Sequence, residues 1–254
     1  MLFLLPPSET KEVGGSPLSI SQVALTFGGL NPAREAVYEA LRALCEAPDE
    51  AVKVLKLGKK QLDQIAINLE AQDAPTMPAI NRYNGTLYDA IHGRGLKGSP
   101  TEHNQITPEM FERAKASVLI QSALFGLIPA TNLIPNYRLS ATTNLPGLNL
   151  KQVWAEAHLP IWQRLEDGPI IDMRSKAYAE LAPIPEGVEH YWVEVLDAQS
   201  GKALNHFNKK GKGQLLRAVL SAKAEPETIA DLKKVAKSNA LRLEKSKGEL
   251  LLFV

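Results

Sequence analysis

Apolar and polar positions along the 254-residue chain change period repeatedly, and each change marks an element. Residues 1–5 are an unbroken apolar run ended by Pro6-Pro7, which predicts a short buried strand. A polar loop covers 6–11, and a Gly/Ser/Pro stretch covers 14–19. Ala36, Val37, Ala40, Leu41 and Leu44 then recur at three- and four-residue spacing, the stripe of an amphipathic helix that Asn31 caps with Pro32 in its first turn. A second helix is expected over 49–55. A third follows Lys59, with Leu62, Ile65, Ala66 and Leu69 on one face. Residues 72–78 read as a loop, 79–91 as helical despite Gly85, and 93–107 as a polar Gly-rich loop. Thr107-Pro108-Glu109-Met110 opens a helix, 117–121 is a buried strand, and 122–139 reads as a loop. A helix is expected over 151–166, a strand over 169–173 and a helix over 175–181. Residues 188–196 alternate and form a hairpin with 203–207. Helices over 213–222 and 226–238 follow, and 241–244 and 249–254 close the chain as a hairpin around 245–248. Hairpins supply several strands, so the expected fold is mixed α/β: a mixed β-sheet covered by helices. It is read as a single domain, 1–254, with a helical insertion over 31–70.

Composition narrows this little. Apolar residues are 44%, charged residues 22%, and the net charge is +1, all ordinary for a soluble globular chain. No apolar run approaches the roughly 18 residues that span a bilayer. The first five residues lack the basic flank and length of a signal peptide, so a cytoplasmic protein with no membrane partner is expected. The single cysteine, Cys45, excludes an internal disulfide, a cysteine zinc site and a four-cysteine iron–sulfur cluster. The distribution of charge says more than its sum. From Gly201 onward there are 12 Lys/Arg against 5 Asp/Glu, a basic end that suits a polyanion. Its helix-borne part, Lys233, Lys234 and Lys237, reads more plainly as a solvated face.

The five histidines, at 92, 103, 158, 190 and 206, are scattered without a metal-ligand spacing. No nucleophile elbow, phosphate loop or dinucleotide fingerprint is present. No metal, cofactor or catalytic motif is therefore assigned. Four polar loops stand out instead, each near the end of an expected strand. The first holds Ser8, Thr10 and Lys11. The second runs from Ser122 to Tyr137 and Arg138. The third holds Arg174 and Ser175. The fourth, with Lys209, Lys210, Gly211, Lys212 and Gly213, reads as a Gly-rich basic loop opening a helix, a ready anion site. Singly, each is an ordinary solvated connector. Together they are expected to converge, because strand ends in one sheet open on one cleft. Lys11, Arg138, Arg174 and Lys210 are accordingly expected on one concave wall.

Between the second and third helices lies Leu55-Lys56-Leu57-Gly58-Lys59-Lys60. Two helices joined by a tight turn with Gly58 resemble the helix-hairpin-helix element of DNA-binding proteins, in which turn amides hold a phosphate. Lys53, Lys56, Lys59 and Lys60 supply countercharge. The plainer reading is an αα-corner with a glycine cap.

Taken in order, these segments resemble the YaaA family of peroxide-stress proteins across nearly the whole chain. The resemblance is carried by Leu2–Lys11, Gly85-Thr86-Leu87-Tyr88, Ser122-Ala123-Leu124-Phe125-Gly126, Asn136-Tyr137-Arg138-Leu139, Asp172-Met173-Arg174-Ser175 with Tyr178, and Lys209-Lys210-Gly211-Lys212-Gly213. Ala123, Phe125, Asp172 and Lys212 depart from the commonest family pattern, as does Ser140-Ala141. The resemblance implies a mixed α/β fold peculiar to the family, a positively charged cleft and a helix-hairpin-helix associated with DNA. It also implies a cytoplasmic role in protecting DNA during peroxide stress, linked to limiting intracellular iron. The leading expectation is a sequence-tolerant binder of double-stranded DNA. The alternative is an enzyme holding a small phosphorylated or carboxylated substrate in the same cleft, with Tyr88, Ser122 and Ser175 as polar positioners.

Overall fold

Strand β1, Leu2–Leu5, lies at the middle of a sheet, which explains an apolar run with no alternation: both faces are covered. The computed structural model describes residues 1–94, 106–165, 168–204 and 208–254. The expected loop over 93–107 and the hairpin strand over 203–207 lie partly outside them, as do His103, Glu166 and His206.

Helices α1 (Asn31–Cys45), α2 (Pro48–Val54) and α3 (Asp63–Leu69) follow β1 and pack on one another. Asn31 is not the cap of α1 but its first residue; its Oδ1 accepts from Arg34 at 2.8 Å. Strand β2 (Met77–Pro78) leads into α4 (Ala79–Arg82) and α5 (Thr86–His92). The helix expected over 79–91 is broken at Gly85, whose φ of +96° no helical residue adopts. Helix α6 (Pro108–Ser117), capped by Thr107 as expected, delivers strand β3 (Val118–Ser122). The expected loop over 122–139 instead contains β4 (Gly126–Pro129) and β5 (Leu133–Ile134). The chain reverses at Gly126 (φ +63°), where a Cβ would lie 2.5 Å from the Trp154 ring. A four-residue strand returning through so short a turn leaves too little periodicity to read.

Helix α7 (Leu150–Trp162), strand β6 (Ile170–Asp172), helix α8 (Lys176–Leu181) and strand β7 (His190–Leu196) follow as expected. The hairpin from β7 begins with an isolated bridge, Leu196 to Ala203. Helices α9 (Asn208–Leu220) and α10 (Ile229–Ser238) and strands β8 (Arg242–Ser246) and β9 (Glu249–Phe253) complete the chain.

The seven-stranded sheet runs β4-β3-β1-β6-β7-β9-β8. Its five inner strands are parallel, and β4 and β8 close the edges antiparallel. The mixed sheet expected from the pattern is therefore present. The carboxyl ends of β1, β3 and β6 open on one side. Trp154 and Trp162, both fully buried, pack α7 into the core.

Candidate functional site

A cleft of about 520 Å³ opens at the carboxyl ends of β1 and β6, where ligands of open α/β sheets bind. Of the residues singled out in the sequence, Ser8, Thr10, Tyr88, Ser175 and Lys209 line it. Glu9, Asn84, Thr86, Ser140, Thr142 and Tyr178 complete the wall. Gly85 lets α5 approach the β1 loop: a Cβ there would meet Ser8 Oγ at 3.3 Å and Thr10 Oγ1 at 3.4 Å. Tyr88 donates to the Pro6 carbonyl at 2.8 Å and fixes the start of that loop. The lining is rich in hydroxyls and carries one carboxylate, Glu9, and one ammonium, Lys209.

Behind this wall lies a hydrogen-bonded layer. Tyr83 and Tyr137 share a hydroxyl contact at 2.7 Å, and the Ser122 hydroxyl meets Tyr137 at 2.8 Å. Ser122 Oγ also accepts the amides of Leu124 and Phe125, at 3.1 and 3.0 Å. Burial raises the Tyr83, Tyr88, Tyr137 and Tyr178 hydroxyls above their usual range, so all four are neutral donors at physiological pH.

The Lys11 amine sits in this layer, 4.1 Å from the Tyr137 ring centre and 5.5 Å from that of Tyr83. It donates to the carbonyls of Ser8 (3.1 Å) and Glu9 (3.4 Å). The nearby Glu9 carboxylate is taken by Arg138 at 3.0 Å. Burial chiefly, then Arg138 and Arg82 against the opposing Glu9, brings the Lys11 ammonium down to about 7. Arg138 itself is held from behind: Asn68 on α3 accepts its amide at 2.7 Å and donates to its carbonyl at 3.0 Å.

Lys11, Arg138, Arg174 and Lys210 do not share one concave wall. Arg174 is 1% exposed and turned inward. Its Nε and Nη2 donate to Asp172, the latter at 2.7 Å, and its Nη1 to the Ala182 carbonyl at 2.7 Å. The departure at Asp172 thus supplies the counterion that withdraws Arg174 from the cleft. Lys210 borders a separate hollow with Asp197, Gln214 and Val254.

The basic loop expected before a helix at Gly213 is already helix, since α9 starts at Asn208. Its glycines serve packing. A Cβ on Gly213 would lie 2.3 Å from the Leu87 carbonyl oxygen, and one on Gly211 would lie 3.0 Å from Val195 and Val254. Lys212 is buried; its amine donates to the Arg174 carbonyl at 3.3 Å and stands 4.8 Å over the Trp192 ring. Burial, opposed by Asp172 and Glu194, lowers Lys212 to about 8.

The α2–α3 hairpin is separate from the cleft lining. Lys56 (φ +54°) occupies the left-handed position after α2. Leu57 N–H donates to the Val52 carbonyl at 2.9 Å and Lys56 N–H to that of Lys53 at 3.3 Å, the two bonds of a Schellman ending. The cap is therefore Lys56 and not Gly58, whose amide donates to Gln61 Oε1 at 3.0 Å. Lys53, Lys56, Lys59 and Lys60 are exposed, and none pairs with a carboxylate among the described residues.

Asn68, Tyr83 and Glu9 were not legible as site residues. Only Asn68 left a trace, as one polar side chain at the spacing of the apolar stripe of α3.

The profile of the family described as peroxide stress protein YaaA matches residues 1–247. A UPF0246 protein of Corynebacterium efficiens is 34% identical over 253 residues, covering 98% of this chain and 96% of that protein. One from Corynebacterium glutamicum is 35% identical over 255 residues (97% and 96%), and one from Streptomyces coelicolor is 36% identical over 240 (91% and 87%). With the profile spanning almost every strand of the sheet, the chain belongs to the YaaA family of peroxide stress proteins.

Proposed function

We propose that this protein binds double-stranded DNA through phosphate contacts, with little base preference, as part of a cytoplasmic peroxide-stress role. The observation that carries the reading is the α2–α3 hairpin. It presents four exposed lysines around a turn, and among the described residues none of them pairs with a carboxylate and the amides of Lys59 and Lys60 have no acceptor. Ammonium groups and free amides on one turn match phosphate oxygens and carry no sequence code. Lys209 adds a cation at the cleft, while Arg138 is paired with Glu9. Arg174 and Lys212 are spent on internal partners in this arrangement.

A second reading is favoured by the cleft itself. A pocket of about 520 Å³ lined by hydroxyls has the size of a small-molecule site, and suits a small anionic substrate better than a duplex.

The test is titration of unrelated duplexes by the full chain across a salt series. The expected slope of log K against log salt is on the order of −4 to −7, and the joint change Lys59→Ala, Lys60→Ala should flatten it by about two. No binding at low salt, or an unchanged slope in the double variant, overturns the proposal.

A further inference from the structure

The surroundings of the Lys11 amine fit neither a structural ion pair nor a solvated surface charge. It is half-buried and hangs within 3.4 Å of two carbonyls of the Ser8–Glu9 backbone, and Ser8, Glu9 and Thr10 form a cleft wall. Every charged group facing it is accounted for. Arg138 and Arg82 are cations, Glu9 is engaged by Arg138, and Tyr83 and Tyr137 are neutral phenols. The two ring faces, the two carbonyls and the Glu9 carboxylate favour the ammonium, but burial together with Arg138 and Arg82 outweighs them, so the free amine is well populated near neutral pH. A neutral primary amine is a nucleophile for carbonyl carbon, and this one stands behind the Ser8–Thr10 wall of the cleft.

We propose that Lys11 condenses with the aldehyde of an open-chain pentose seated in the cleft. The hydroxyls of Ser8, Thr10, Thr86, Ser140 and Thr142 suit a polyol, and Lys209 suits an attached phosphate. The amine turns from the two carbonyls, and its lone pair attacks the aldehyde carbon. Both nitrogen protons pass in turn to the former carbonyl oxygen, the first giving the carbinolamine. That oxygen then leaves as water, and a C=N bond to Lys11 remains. No oxidant or reductant is consumed. The pentose has two chemical sources, a free sugar phosphate or the ring-opened sugar of an abasic site in DNA. The free-sugar arm rests on the cleft alone; the DNA arm also rests on the reading under Proposed function.

Two probes, 2-deoxyribose 5-phosphate and a duplex with one abasic site, are incubated with the full chain and sodium borohydride, which reduces the imine to a stable secondary amine. Peptide mass mapping then locates the adduct. The expected result is an adduct on Lys11 itself, forming at a rate that rises through pH 7 and levels off above it. Lys11→Met should abolish it while retaining a cooperative thermal transition. Adduct on Lys11 from the free sugar only assigns a small-molecule site. Adduct from the abasic duplex, with or without the free sugar, assigns the DNA sugar. Adducts confined to Lys59, Lys60 or Lys209, or a rate still rising toward pH 10, overturn the proposal. So does the absence of an adduct from both probes, whether or not the duplex binds.

Discussion

Lys56 holds the left-handed position that ends α2, where an L side chain crowds its own backbone. Lys56→Gly should therefore stabilise the fold by about 0.5–1 kcal/mol, measured by chemical denaturation, while weakening binding to DNA if the hairpin lysines act there. His158 is the opposite case, a polar side chain whose every bond is internal. Its Nδ1 donates to the Trp154 carbonyl at 2.6 Å and its Nε2 accepts the Leu127 amide at 3.1 Å, tying α7 to β4. Burial, then Arg174 and Arg34 against the Trp154 carbonyl, lowers its pKa to about 4. The unfolded imidazole takes up its proton near 6.5 and the folded one only near 4. Stability is therefore complete above pH 6.5 and falls as acid is added, by about 3 kcal/mol at pH 4 and below. Unfolding measured from pH 4 to 7 should show that slope in the wild type, and His158→Gln should remove this part of it. Neither role was readable: a histidine or a lysine looks alike in sequence whether it holds a cap, spans two elements or faces water.

The elements were largely legible, and the exceptions share a cause. Strand β1, helices α1 to α3 and the β8–β9 hairpin follow from periodicity and punctuation. The start of α9 does not, because Gly211 and Gly213 look like loop residues. They are helical because α9 crosses α5 and β7 so closely that no side chain fits. Gly213→Ala places a Cβ 2.3 Å from the Leu87 carbonyl oxygen, and the forced shift should outweigh the roughly 1 kcal/mol gain in helix propensity. The expected outcome is a net loss of about 1–3 kcal/mol. Gly58→Ala, which meets only Gln61 Oε1 at 3.5 Å, should leave the melting temperature nearly unchanged. Should Gly213→Ala melt with the wild type, the close crossing of α5 and α9 is not what that glycine is for.

Over the whole molecule, the hairpin and the cleft are two surfaces joined by one strut. Asn68, near the end of α3, grips the backbone of Arg138, which pairs with Glu9 on the cleft wall. The two proposals separate across this strut. The Lys59→Ala, Lys60→Ala variant should lose DNA affinity and keep the borohydride adduct with the free sugar, and Lys11→Met should do the reverse. Loss of both functions in either variant would show that the surfaces do not act independently.

By itself the sequence determined the class of fold, the order of most elements and the family, because these depend on local periodicity and on residues in fixed order. It also placed the Ser8–Lys11 and Arg174–Ser175 loops at the ends of β1 and β6, though not the basic stretch of α9. What it left open was which way each cation faces. Arg174 is withdrawn by Asp172 two residues earlier, Lys212 lies beneath Trp192, and Lys11 is stranded between two tyrosines far from it in sequence. Those outcomes depend on desolvation and on which counterion arrives first, and both are set by strands and helices that meet only in the folded chain.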